Sequence, residues 1–212
     1  MTIAEPVTLL TDYALAGVTG WLGWRLLKVR EAHTARLLWA VAFTALAAAA
    51  AVGGTYHGFA PLLPDGVVYL LWKVTVLAVG IASFSMFSGS VMATTADGVR
   101  KLLLAIAVAK LTLYAVWMLG HDDFLFVIVD TGTAMAGVAA LHGWSAAHDG
   151  DSASLWMLVA VGVSALAAAV QASGFALHQH FNHNDLYHVI QIVAMTLFYK
   201  GAKLLRDHVS TT

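Results

Sequence analysis

The segment Val67–Met92, VVYLLWKVTVLAVGIASFSMFSGSVM, decides how the chain folds: it is apolar throughout except for Lys73 and a few small hydroxyl residues. About 20 helical residues cross the ~30 Å hydrocarbon layer of a bilayer, so this run is long enough to span. It lacks the strict alternation of a barrel strand. With no water in lipid to satisfy backbone groups, a helix is the remaining solution. Working outward, six further windows of similar character lie at Val7–Val29, Thr34–Tyr56, Val99–Leu119, Phe124–Trp144, Ala153–Phe175 and Asn184–Leu205. Pro61, Pro64, Asp65 and Gly66 separate the second and third, and Asp149, Gly150 and Asp151 precede the sixth. The expected fold is therefore all-α: a single transmembrane domain over residues 1–212 with seven helices.

Composition agrees. Of 212 residues 60% are hydrophobic and 11% charged, with a mean hydropathy of +0.78, whereas a soluble domain carries about 25% charged residues. A net charge of -1 offers no basic surface for nucleic acid. Cysteine is absent, which excludes disulfides and thiolate metal sites and leaves the redox compartment and the oligomeric state unread. Met1–Pro6 has no positively charged leader, so the first apolar run is expected to be kept as a helix. Ala45–Val52 is nearly all alanine, and small residues such as Ala47, Ala51 and Gly53 let neighbouring helices approach closely. No internal repeat is visible, which weighs against a transporter of duplicated halves.

Basic residues gather at alternate ends of the windows: Lys28, Arg30 and Arg36, then Arg100 and Lys101, then Lys203 and Arg206. The opposite ends carry Glu5, Asp65, Asp122, Asp123 and Asp185. The positive-inside rule then places the N-terminus outside and the C-terminus in the cytoplasm. The alanine-rich, compact chain suits a bacterial inner membrane.

Ionisable groups inside the windows are the functional signal. Asp12, His57, Lys73, Asp130, Gln171, His188 and Gln191, with Tyr56 and His183 beside them, fall near the outer ends of six helices. A charge facing lipid at the bilayer centre costs about 2.5–3.5 kcal/mol or more, so these groups are expected to face one another or a wet cavity, with Asp12 or Asp130 paired to Lys73. Lys110 and Tyr114 lie deeper, the former suited to a carboxylate partner. His142, His148, His178 and His180 read as solvated loop residues, and Asn184 as the N-cap of helix 7. Lys200 sits beside Lys203 toward the inner end, with Thr196 four residues earlier, which sets a retinal-type protein aside.

The string Tyr56-His57 closing helix 2, and Asn184-Asp185-Leu186-Tyr187-His188-Val189-Ile190 opening helix 7, resemble the CREST superfamily of seven-helix membrane proteins. That group holds the alkaline ceramidases, the progestin and adipoQ receptors and the haemolysin III-like proteins. Its pattern is Ser-x-x-x-His in helix 2, Asp in helix 3 and His-x-x-x-His in helix 7, whose histidines hold a zinc ion that activates water against a lipid amide. Here Gly53 stands at the Ser position, Lys73 in the region of the Asp and Asn184 at the first His, so His57 and His188 alone carry over. The resemblance implies a zinc-dependent hydrolase of a lipid amide or ester. His57 and His188 would be its metal ligands; from the residues, Asp185, one turn before His188, is the nearest third ligand, with Asp12 and Asp130 as alternatives for that ligand or for the general base and Lys73 as a further polar group of the catalytic site. Two histidines and a carboxylate form a competent hydrolytic zinc set. The alternatives are a non-enzymatic bundle that binds a lipid or small ligand in the same cavity, and a proton- or ion-conducting bundle.

Overall fold

The computed structural model describes residues 3–29, 33–178 and 181–209; Arg30 and His180, named above, lie outside the described residues. Among these the chain forms seven α-helices: α1 Pro6–Leu27, α2 Thr34–Phe59, α3 Asp65–Thr94, α4 Asp97–Gly120, α5 Leu125–Asp149, α6 Ser152–Ser173 and α7 His183–Leu204. A single 3-10 turn, Ala60–Leu62, follows α2. Every proline sits at a start: Pro6 in the first turn of α1, Pro61 in the 3-10 turn and Pro64 as the N-cap of α3. Proline there loses no helical hydrogen bond.

The remaining boundaries have local causes. Helices α5 and α6 stop at Gly150 and Gly174, whose φ of 64° and 67° is the left-handed conformation that glycine adopts without strain. Asp151 then caps α6, accepting from the Ala153 and Ser154 amides at 3.0 Å each. The cap of α7 is Asn182, not Asn184. Asn182 accepts from the Asn184 and Asp185 amides, and the Asp185 carboxylate reaches back to the Asn182 amide at 2.8 Å, a complete capping box.

Six helices close into a ring in the order α1, α2, α3, α5, α6, α7, with α4 outside it, leaning on α3 and scarcely touching α5. Basic ends of the helices gather at one end of the bundle, acidic ends at the other. The main apolar core, with Trp39, Phe43, Met86, Met157, Met195 and Phe198, fills the ring from its middle toward the basic end. There the residues after α7 lace the bundle together. The Asp207 carboxylate accepts from the Thr34 and Ala35 amides at 2.9 and 2.7 Å, Arg36 donates to the Leu205 carbonyl, and His208 bonds to Met92 and Arg100. Toward the acidic end a second, smaller core of Val76, Tyr114, Met118 and Val127 joins α3, α4 and α5, and polar residues gather beside it.

Five helices, α2 to α6, are long and apolar enough to cross a membrane, which is compatible with an integral membrane protein. The two that fall short, α1 and α7, are diluted by the polar residues they present to each other.

Candidate functional site

On α1, Thr8, Thr11 and Asp12 share one face, as do Asp185 and His188 on α7, because residues three and four apart are helical neighbours. The two faces meet. Thr8 Oγ1 donates to Asp185 Oδ1 at 2.9 Å, Thr11 Oγ1 lies 3.0 Å from His188 Nδ1, and Asp12 Oδ1 lies 3.2 Å from His188 Nε2. Thr8, Asp12, Asp185 and His188 are all buried. The second carboxylate oxygen of Asp12 is buried with no hydrogen-bond partner among the described residues. An orphaned carboxylate oxygen marks a place where a further polar group would be stabilised.

From α2, Gly54 lies against Asp12, so closely that a Cβ there would stand 2.7 Å from the Asp12 Cβ. One turn on, His57 Nδ1 pairs with Glu5 Oε2 at 3.3 Å, both half-exposed. The expected metal ligands are thus brought to one end of the bundle, but each is engaged elsewhere. His57 faces Glu5, both ring nitrogens of His188 face α1, and Asp185 spends one oxygen on Thr8 and the other on its own helix start. Among the described residues no three His, Asp or Glu side chains form a group able to hold a metal ion. The donor set as arranged does not fit zinc.

The six-helix polar layer resolves into separate clusters. Lys73 pairs with Asp122 at 2.8 Å, not with Asp12 or Asp130, and also donates to the Met118 and His121 carbonyls. Its three ammonium hydrogens are therefore spent on the C-terminal end of α4, where a cation complements the helix dipole. Asp130 pairs with Lys110, whose ammonium also reaches the Asp130 carbonyl and the Ser83 hydroxyl. Tyr114 donates to the Val76 carbonyl at 2.9 Å. Gln171 donates to Asn184 at 3.3 Å, joining α6 to α7. Gln191 and His183 are partly buried on α7.

His142 is not a solvated loop residue: it is fully buried in α5, with Nδ1 2.8 Å from Ser154 Oγ and Nε2 3.1 Å from Ser90 Oγ. Its position inside the Phe124–Trp144 window was the available signal, since a polar side chain within an apolar helix must find partners. His178 is exposed in the loop before α7, as expected, and His148 is exposed but belongs to the last turn of α5, stacked on Trp144, rather than to a loop.

A cavity of about 480 Å³ opens at the same acidic end, between α2, α3 and the α4–α5 loop. Tyr56, Tyr69, Trp72 and Phe124 line it with Asp65 and Asp122. Of these, Tyr56 alone was picked out from the sequence, through its place next to His57. Asp65, Val68, Tyr69 and Trp72 fall at the i, i+3, i+4, i+7 spacing of one face of α3, a signal the sequence offered, whereas Asp122 and Phe124 come from a loop distant in sequence.

Fold and site together define a class: an all-helical bundle, with helices able to cross a membrane and a buried polar seam and an aromatic cavity at one end. The chain belongs to the family of unknown function DUF6962, whose profile matches residues 7–207. No curated protein and no solved structure shows a significant match.

Proposed function

We propose that the chain is a seven-span protein of a bacterial inner membrane, N-terminus outside and C-terminus cytoplasmic, that binds a small molecule or lipid head group at its outer end without hydrolysing it. Helices α1 and α7 count as spans because each accompanies an apolar neighbour along its whole length. Gly23 packs on Phe43 near the basic end, Gly20 on Ala47, Gly54 on Asp12, and Gly58 on Leu9 at the acidic end. In the same way Gly201 lies against Ala153 and Met157, while Asn184 meets Gln171 at the other end. Twenty-two residues at about 1.5 Å each give roughly 33 Å, enough to cross.

The observation that carries binding over hydrolysis is the commitment of both His188 ring nitrogens and both Asp185 oxygens to protein partners, beside a cavity of small-ligand size. A zinc-dependent lipid hydrolase, the reading that the CREST resemblance implies, could use His57 through Nε2 with Nδ1 still on Glu5, but requires His188 Nε2 to leave Asp12.

Elemental analysis of detergent-purified protein supplied with zinc, wild type beside His57→Ala and His188→Ala, separates the two. The expected result is zinc far below one per chain and unchanged in the variants, with no fatty acid released from a ceramide-type amide. Near-stoichiometric zinc that both substitutions abolish would overturn the proposal in favour of the hydrolase.

A further inference from the structure

We propose that the cavity between α2, α3 and the α4–α5 loop recognises an organic ammonium group, either a free amine or the cationic head of a lipid. The inference rests on the ligand-binding reading above and names the ligand class.

The walls supply the first argument. Tyr56 and Trp72 stand 5.5 Å apart between ring centroids, and Trp72 and Phe124 6.1 Å apart, at tilts of 43° and 49°. Tyr69 lines the same concavity. An aromatic face is the negative pole of the ring quadrupole and attracts a cation within about 6 Å of its centroid. Interfacial Trp and Tyr also serve as membrane anchors, but anchors project one by one toward lipid head groups. Here four rings converge on one space with two carboxylates.

Charge supplies the second. The cavity is lined by Asp65 and Asp122, and the cation beside it is Lys73. Lys73 is already saturated by Asp122 and the Met118 and His121 carbonyls, so it has no hydrogen left for an anionic ligand. Asp65, exposed in the first turn of α3, has no ion-pair partner among the described residues. The net field favours a positive guest.

A third argument is that this environment already holds one ammonium. Lys73 Nζ lies 5.1 Å from the Tyr69 ring centroid as well as 2.8 Å from Asp122. The combination of ring face and carboxylate proposed for the ligand is therefore present for the chain's own cation at the cavity edge. The volume of about 480 Å³ falls within the range of small-molecule pockets and leaves room for a methylated ammonium with its substituents.

The test is calorimetric titration of the detergent-purified chain with four probes: choline, its neutral isostere with carbon in place of the quaternary nitrogen, lysophosphatidylcholine and lysophosphatidylglycerol. The expected result is binding of choline, lysophosphatidylcholine or both, and at least tenfold weaker binding of the neutral and anionic counterparts. Choline binding identifies a free amine as a sufficient ligand, and binding of the choline lipid alone identifies the lipid head group. Trp72→Leu is expected to weaken the bound probe about tenfold, and Asp65→Asn about threefold. Asp65→Asn, at an exposed position, guards against misfolding of the aromatic variant. Equal binding of charged and neutral isosteres, or preference for the phosphoglycerol lipid, would overturn the ammonium assignment while leaving a ligand site in place. No binding of any probe would overturn the ligand-binding reading and this inference together.

Discussion

Asp12 and His188 constrain each other closely, because each is buried and each is the other's hydrogen-bonding partner. Removing one member of such a pair strands the other in a low-dielectric setting, which costs about 3–5 kcal/mol for a charged pair and less when one partner is neutral. Asp12→Asn and His188→Gln are each expected to lower the free energy of unfolding by about 2–4 kcal/mol. The double variant should lose less than the sum of the two, by about 1–3 kcal/mol, in a double-mutant cycle followed by denaturant unfolding in detergent. Strict additivity would mean that the two side chains do not interact. That such residues matter was legible in the sequence, since Asp12, His57 and His188 are ionisable groups inside apolar windows. Their partners were not. Which side chain a buried carboxylate meets depends on the rotation of each helix about its axis, and helices apolar on nearly every face leave that rotation unspecified. Lys73 shows the consequence: the sequence offers Asp12 and Asp130 at similar depth, while the fold turns it to Asp122 in the adjoining loop. Thr8 and Thr11 were invisible for a related reason, since a hydroxyl in an apolar helix usually bonds to its own backbone.

Helices as elements were read almost directly, the windows matching the observed helices to within a few residues, except that α5 runs on from Trp144 to Asp149. The excess arises because Asp149, Gly150 and Asp151, taken as one loop, are in fact the last residue of α5, its glycine stop and the cap of α6. Packing order was not legible, and α4 is the clearest case. It is as apolar as the ring helices, yet it lies outside the ring and buries only Ala107, Tyr114 and Met118. Its attachment rests on Tyr114, seated on Gly80 of α3 and bonded to the Val76 carbonyl, on Lys110, held by Asp130 of α5 and Ser83 of α3, and on Lys73 at its C-terminal end. A Cβ on Gly80 would stand 2.5 Å from the Tyr114 ring. Gly80→Ala is therefore expected to displace the ring and destabilise the protein by about 1–3 kcal/mol. The effect should be local. Hydrogen exchange should rise across residues 97–120 while α2, held on both sides by α1 and α3, keeps its protection. Equal loss of protection in both helices would show that α4 belongs to the same cooperative unit as the ring.

For the whole molecule, the question that hydropathy alone leaves open is how many times the chain crosses, because α1 and α7 trade apolar surface for the polar seam between them. The packing register answers it one way: α1 follows α2, and α7 follows α6, from one end of the bundle to the other. If α2 and α6 span, their partners span too, and the proposed orientation, with the basic ends of the helices facing the cytoplasm, then has the N-terminus outside and the C-terminus inside. If α1 and α7 stayed on the surface instead, only α2 to α6 would cross, and both termini would change sides. The absence of cysteine makes the two topologies separable in intact cells, since any introduced thiol is the only one present. Cysteine at Leu62, in the exposed turn after α2, should react with a membrane-impermeant maleimide in either case, and cysteine at Gly98, with open space around it, should not. The deciding positions are Ile3 and Val209, both exposed. Seven spans require that the thiol at Ile3 be labelled from outside and the thiol at Val209 only after lysis. The reverse pattern would reduce the bundle to five spans, with α1 on the inner face of the membrane and α7 on the outer, and would be incompatible with the α1–α7 seam. Asp12 and His188 would then lie on opposite sides of the membrane and could not pair, and the unfolding cycle would come out additive, so the labelling result also fixes how that cycle is read.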